Sequence, residues 1–133
     1  MCWHDPLRFL GTLTKKELGF YNLLLKAQQN TIKSVKESVK YEKLTATSKK
    51  LLGKYSKNFT HSLGHGIGVE VHENPVFSDS SKVKKNVPFT IEPGIYFSGK
   101  FGLRIEDTLY YDGKKVVVLT KASKELLQIK TKP

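Results

Sequence analysis

The sequence is poor in several residue types, and each shortage closes off a class of protein. Cys2 is its only cysteine, so no internal disulfide framework holds the fold, and the chain reads as one suited to a reducing, cytoplasmic compartment. Long apolar runs are missing: the longest, such as Val116 to Leu119, are far too short to cross a bilayer. No basic flank leads into an apolar segment at the start of the chain, where Asp5 and Pro6 stand instead, so no signal peptide is expected. Acidic residues are scarce too, 12 against 23 basic ones, for a formal charge of +11. Such a balance often marks nucleic-acid or membrane-surface binding. Here, however, Arg8 and Arg104 are the only arginines, whereas recognition of bases and phosphates favours arginine's planar fork. The lysines run from Lys15 to Lys132 without one dense tract. They read as a solvated surface, with non-specific polyanion binding as a minor alternative and no specific nucleic-acid partner.

What remains is the length of one domain, 133 residues with 38% apolar content, enough for a single modest core. Residues 1 to 13 show no period, although Trp3 and Phe9 suggest contact with a core. Thr14-Lys15-Lys16-Glu17 is a capping box, and Leu18, Tyr21, Leu25, Ile32, Val35 and Val39 recur near the helical period, which predicts a helix over 14–38. Gly19 is a weak point within it. A shorter helix is expected over 45–53, with Thr45 or Thr47 near its start, Leu51 and Leu52 buried and Gly53 at its end. Asn74-Pro75 signals a turn, and Ser78 to Lys82 an exposed loop. Pro88 to Glu92 reads as a strand, Pro93-Gly94 as a turn and Ile95 to Phe97 as extended. Leu103 to Tyr111 and Lys115 to Leu119 form two β-rich runs joined by Asp112-Gly113, a hairpin signal. The tail from Ser123 to Ile129 reads as a short turn or helix carrying Leu126 and Leu127. Helices followed by strands favour an α+β domain, with helices on one face of a mainly antiparallel sheet.

The chemistry concentrates between His61 and Glu73. Three of the four histidines lie there, glycines surround His65, and an alternating Val69-Glu70-Val71-His72 run follows. Histidine is the commonest metal ligand and the usual proton carrier near neutral pH, and glycine lets a backbone approach closely. A turn with surface histidines is the plainer reading. His61 and His65 have the spacing of two zinc ligands on a helix, but a zinc-protease helix would carry glutamate where Ser62 stands, and the surrounding glycines oppose helix formation. Two further patterns, Thr90-Ile91-Glu92-Pro93-Gly94-Ile95-Tyr96 and Gly102-Leu103-Arg104-Ile105-Glu106-Asp107, place acids inside apolar strands, where an unpaired carboxylate is expensive to bury. Alternation puts Glu92 opposite Ile91, which by itself favours an exposed position. Of Glu106 and Asp107, one must face inward. Oxygen-rich sites with one imidazole suit divalent ions such as Mn²⁺, Co²⁺ or Zn²⁺, and His65, Glu92 and Glu106 supply ligands of that type. A pair of such ions holds a water between them as the nucleophile. His61 and His72 could hydrogen-bond a substrate carbonyl or a tetrahedral intermediate, and Arg104 could orient the carboxylates from behind.

Taken together, His-x3-His-Gly-Ile-Gly-x-Glu-Val-His-Glu-x-Pro, Phe-Thr-Ile-Glu-Pro-Gly-Ile-Tyr and Arg-Ile-Glu-Asp resemble the Xaa-Pro aminopeptidase and prolidase group of metallopeptidases with the pita-bread fold. The similarity runs in order from about Thr14 to the Lys124-Glu125-Leu126 tail. Methionine aminopeptidases share the Gly-His-Gly-Ile-Gly and Thr-Ile-Glu-Pro elements, but they usually lack a histidine matching His61 and the Arg-Ile-Glu-Asp form. The resemblance implies a curved, mostly antiparallel sheet with helices on one face, and hydrolysis of Xaa-Pro bonds by a water activated between two divalent ions, manganese first among the candidates. It implies His65, Glu92 and Glu106 as metal ligands, with Glu92 also handling the water's proton. His61 and His72 become the substrate-side histidines, with Arg104 and Tyr96 in support. The implied partner is a peptide with proline second, and full-length members are often homo-oligomeric. The family's site also has two aspartate ligands. One belongs where this chain has Cys-Trp-His-Asp-Pro-Leu-Arg-Phe-Leu-Gly, with Asp5 two residues too near Gly11 and followed by Pro6; the other would precede Met1. The expectation is a single, incomplete catalytic domain over 1–133, with a non-catalytic remnant as the alternative to an active enzyme.

Overall fold

The computed structural model describes residues 8–10, 13–78 and 80–129. Cys2, Trp3, Asp5, Pro6 and Asp79 lie outside them, as does the side chain of Phe9. In chain order the elements are β1 (Arg8–Leu10), α1 (Lys15–Lys33), α2 (Tyr41–Leu52), a 3-10 turn (Gly53–Asn58), β2 (Phe89–Ile91), β3 (Gly94–Phe97), β4 (Phe101–Arg104), β5 (Asp107–Tyr111), β6 (Val116–Val118) and β7 (Leu127–Ile129). The class is the expected α+β. Antiparallel pairing dominates, in a three-stranded sheet ordered β2-β5-β6 and a two-stranded sheet of β3 and β4, while β1 and β7 pair in parallel.

Helix α1 starts where the capping box predicts. The Thr14 hydroxyl accepts the Glu17 amide at 3.2 Å, and the Glu17 carboxylate accepts the Thr14 amide at 2.8 Å. The helix stops at Lys33, earlier than the pattern suggested, because the chain must turn to reach a distant segment. Val35 is buried, and the backbone of Ser38 and Val39 bonds to that of Val83. The buried stripe is also rotated from the expected one. Phe20, Tyr21, Leu24, Ala27, Gln28 and Thr31 face inward, whereas Leu18 is 44% exposed. Gly19 has open space where a Cβ would be.

Helix α2 begins at Tyr41, ahead of both threonines proposed as its start. The cause is tertiary: Tyr41 stacks on Phe77 at 4.1 Å, meets Phe89 edge-on, and takes the Ser81 carbonyl through its amide. Thr45 and Thr47 instead turn their hydroxyls to the Tyr41 and Lys43 carbonyls inside the helix. Gly53 closes it at φ 55°, as expected. Leu24, Leu44, Phe89, Ile91, Ile95 and Leu109 are fully buried where the helices meet the strands, each contributing roughly 1.5–3 kcal/mol.

The strand region and the tail depart from expectation in two places. The run from Leu103 to Tyr111 is broken at Ile105 and Glu106, so that β4 pairs with β3 while β5 pairs with β2 and β6. The tail forms β7 rather than a helix, paired with β1 in a contact between the two ends of the chain. The alternating Val69–His72 run lies in a bent loop, with Val69 98% and Val71 59% exposed. The β5–β6 hairpin forms as predicted, its turn tightened by the Asp112 carboxylate accepting the amides of Lys114 and Lys115.

Candidate metal centre

The site is built on one side of β2. The Leu63–Gly66 segment runs along that strand. The Glu92 amide bonds the Leu63 carbonyl, and the Thr90 amide bonds the His65 carbonyl, both at 2.8 Å. The contact is close enough that a Cβ on Gly64 would run into the Thr90 carbonyl, which is why glycine is needed there. The loop folds back at Glu73, whose amide bonds the Gly66 carbonyl at 3.0 Å. His65 is thereby held over Glu92, with Nε2 3.3 Å from a carboxylate oxygen.

Glu106 enters from the break between β4 and β5. One ligand-type atom from each of His65, Glu92 and Glu106 lies within 4.8 Å of the others. Arg104 spans the two carboxylates at 3.6 and 3.8 Å. Glu92 is only 7% exposed, against what strand alternation suggested, because β2 is covered on both faces. Burial and then the nearby Glu106 push the Glu92 carboxyl above the usual carboxylate range, against the pull of His65, Arg104 and the Thr90 hydroxyl.

His65 Nδ1 lies 2.9 Å from the Gly66 carbonyl. A carbonyl can only accept, so Nδ1 carries a proton and Nε2 is the ring atom turned toward Glu92. An imidazole nitrogen and two carboxylates thus converge, with one guanidinium beside the two acids. That donor set fits a divalent cation.

The other singled-out residues fall into two groups. The His72 ring packs on His65, centroids 4.1 Å apart. His61 and Tyr96 pair with each other beside Gly94, with the Tyr96 hydroxyl 3.1 Å from His61 Nε2. His61 Nδ1 is 2.7 Å from the Ser62 carbonyl, so its Nε2 accepts from the tyrosine. A Cβ on Gly94 would press on both rings. Sequence reasoning gave no role to Thr90, which receives the His65 amide at 3.0 Å and donates to Glu92 at 3.3 Å. Its signal was available in the Thr-x-Glu spacing, which puts both side chains on one strand face. Asn58, which donates to the Tyr96 carbonyl at 3.0 Å, carried no local signal. Of the Glu106–Asp107 pair, Asp107 is the more deeply buried and is bonded to Lys124 at 2.6 Å.

The chain belongs to metallopeptidase family M24, whose model matches residues 7–112. The Xaa-Pro dipeptidase of Pyrococcus horikoshii is 35% identical over 122 residues, which is 89% of this chain and 35% of that protein. The Xaa-Pro dipeptidase of Lactobacillus delbrueckii subsp. lactis is 38% identical over 126 residues, 90% of this chain and 34% of its own. The crystal structure of an X-Pro aminopeptidase from Thermotoga maritima aligns with a TM-score of 0.84 at 35% identity, over 90% of this chain and 35% of that one. The architecture is therefore that of the pita-bread enzymes, and the chain spans about a third of the length of these relatives. Among the described residues no helix is long and apolar enough to cross a membrane.

Proposed function

We propose that this chain carries the catalytic-site portion of an Xaa-Pro peptidase, hydrolysing the bond between an N-terminal residue and proline. The observation that carries the reading is the convergence of His65, Glu92 and Glu106, with the His65 Nε2 atom 3.3 Å from a Glu92 oxygen. In this reading those three residues hold divalent metal, manganese first and cobalt or zinc as alternatives, in a site for two ions. Metal bound there would lower the pKa of a water and supply a nucleophile near neutral pH. Glu92 would be placed to accept a proton there, a task suited to a carboxyl whose burial raises its proton affinity. Arg104 holds the two carboxylates in place. His72, exposed and packed on His65, meets the substrate carbonyl or the tetrahedral oxyanion. His61, its tautomer set by Ser62 and Tyr96, serves the same oxygen from the other side. The single cysteine supports a cytoplasmic setting, and assembly into homo-oligomers belongs to the same reading.

A second reading is a chain that binds metal without hydrolysis. It is favoured by the number of ligand-type groups that converge among the described residues, three rather than the five the resemblance calls for. The two readings separate by titrating the chain with Mn²⁺ and assaying an Xaa-Pro dipeptide. The first predicts turnover that falls by about a thousandfold or more in Glu92→Gln. Metal binding without turnover selects the second, and no metal binding refutes both.

A further inference from the structure

The other face of the molecule carries a feature independent of the metal centre. Strand β6 is the outer strand of its sheet among the described residues, pairing only with β5. The Lys115 carbonyl accepts the Asp112 amide and the Leu119 amide bonds the Thr108 carbonyl. Antiparallel alternation therefore turns Val117 toward β5, leaving the amides and carbonyls of Val116 and Val118 on the open edge. Beside that edge lies a groove of about 520 Å³, with Ile32 of α1 and Val35 just beyond its end on one side and Tyr111, Val116 and Val118 on the other. Lys33, Lys36, Lys114 and Lys115 also line it. A second groove of about 290 Å³ shares Lys33 and Lys36 and adds Lys43. All five lysines are exposed, and no acidic side chain lines either groove. Asp112, the nearest acid in the hairpin, is turned inward to the amides of Lys114 and Lys115.

We propose that the open edge of β6 and its lysine-rimmed groove dock an extended acidic segment of a partner polypeptide, which adds as a strand to the sheet. The unpaired edge groups supply main-chain hydrogen bonds, the apolar floor takes alternate side chains, and the lysines pair with flanking carboxylates. A second copy of this chain is disfavoured at the same edge, because two lysine clusters would be brought together on molecules of charge +11. Nucleic acid is disfavoured because, among the described residues, the grooves are lined by lysine rather than arginine and Tyr111 is their one aromatic. A flat lipid surface does not match a concave groove.

The test uses the whole chain and a fluorescein-labelled peptide of about ten residues, alternating valine and threonine at its centre with glutamates at both ends. Binding should weaken with salt and by about tenfold in Lys33→Glu/Lys114→Glu, a variant confined to exposed positions whose fold is checked by circular dichroism. The same centre flanked by lysines should bind no better than that variant does. In hydrogen exchange, the amides of Val116 and Val118 should become protected when the acidic peptide is bound. Failure of the peptide to bind, or binding that leaves those two amides exchanging at their free rate, overturns the proposal. So does tighter binding to oligothymidylate or to phosphatidylserine vesicles than to the peptide.

Discussion

At Glu92 two requirements meet that no other described residue combines. In the proposed reading its carboxyl must be buried deeply enough to hold a proton, and must lie close enough to His65 and Glu106 to share a cation with them. Burial and a like charge both oppose its ionisation, so a bound divalent ion would reverse the local balance. The position depends on Gly64, because the Leu63–Gly66 segment must press against Thr90 to bring His65 over the strand. Gly64→Ala should cost about 1–3 kcal/mol of stability and weaken Mn²⁺ binding with it, as measured by denaturant unfolding and calorimetry. A variant as stable as the parent, with unchanged metal affinity, would show that the close approach is dispensable. His65, Glu92 and Glu106 were legible as chemistry because acids inside apolar runs and a histidine among glycines are locally conspicuous. Thr90 offered only the weaker signal of its Thr-x-Glu spacing, and Asn58 offered none, since an asparagine after a helix is ordinary until its partner is known.

Among the elements, α1 shows what local sequence can and cannot specify. Its start was legible because the capping box needs only four consecutive residues. The exposed Glu17 carboxylate is held below the ordinary value of 4.5 by the Thr14 hydroxyl and amide. A depressed folded-state pKa stabilises fully above the unfolded value and loses its contribution as pH falls through the folded one. The stability difference between the parent and Glu17→Gln should therefore be constant above about pH 5.5 and shrink in acid, while Thr14→Ala should cost about 1 kcal/mol. Chemical denaturation across pH 2.5–7 checks both, and a Glu17→Gln difference that grows in acid would contradict the cap. The end of α1, the early start of α2 and the break between β4 and β5 were misplaced in the sequence reading. Each is decided by a partner outside the local run: Val83 for the first, Phe77 and Ser81 for the second, Pro93 and the β3 pairing for the third.

For the whole molecule, metal and stability should be linked. A ligand that binds only the folded chain stabilises it by about 2.7 kcal/mol at a hundredfold excess over its Kd, a rise in Tm on the order of 10 °C for a domain of this size. Mn²⁺ should produce that shift, chelator should remove it, and His65→Ala should abolish it in a thermal melt. An equal shift in His65→Ala would place the metal elsewhere. The sequence alone determined the class of fold, the capped start of α1, the β5–β6 hairpin and the residue types able to hold metal. These depend on contacts within a few residues, or on side-chain chemistry that does not change with surroundings. Tertiary structure decided which face of α1 is buried, that the tail pairs with β1, that Glu92 is covered on both sides of its strand, and that a lysine-rimmed edge lies open at β6. Those outcomes depend on which distant segment arrives opposite, and no local pattern encodes that.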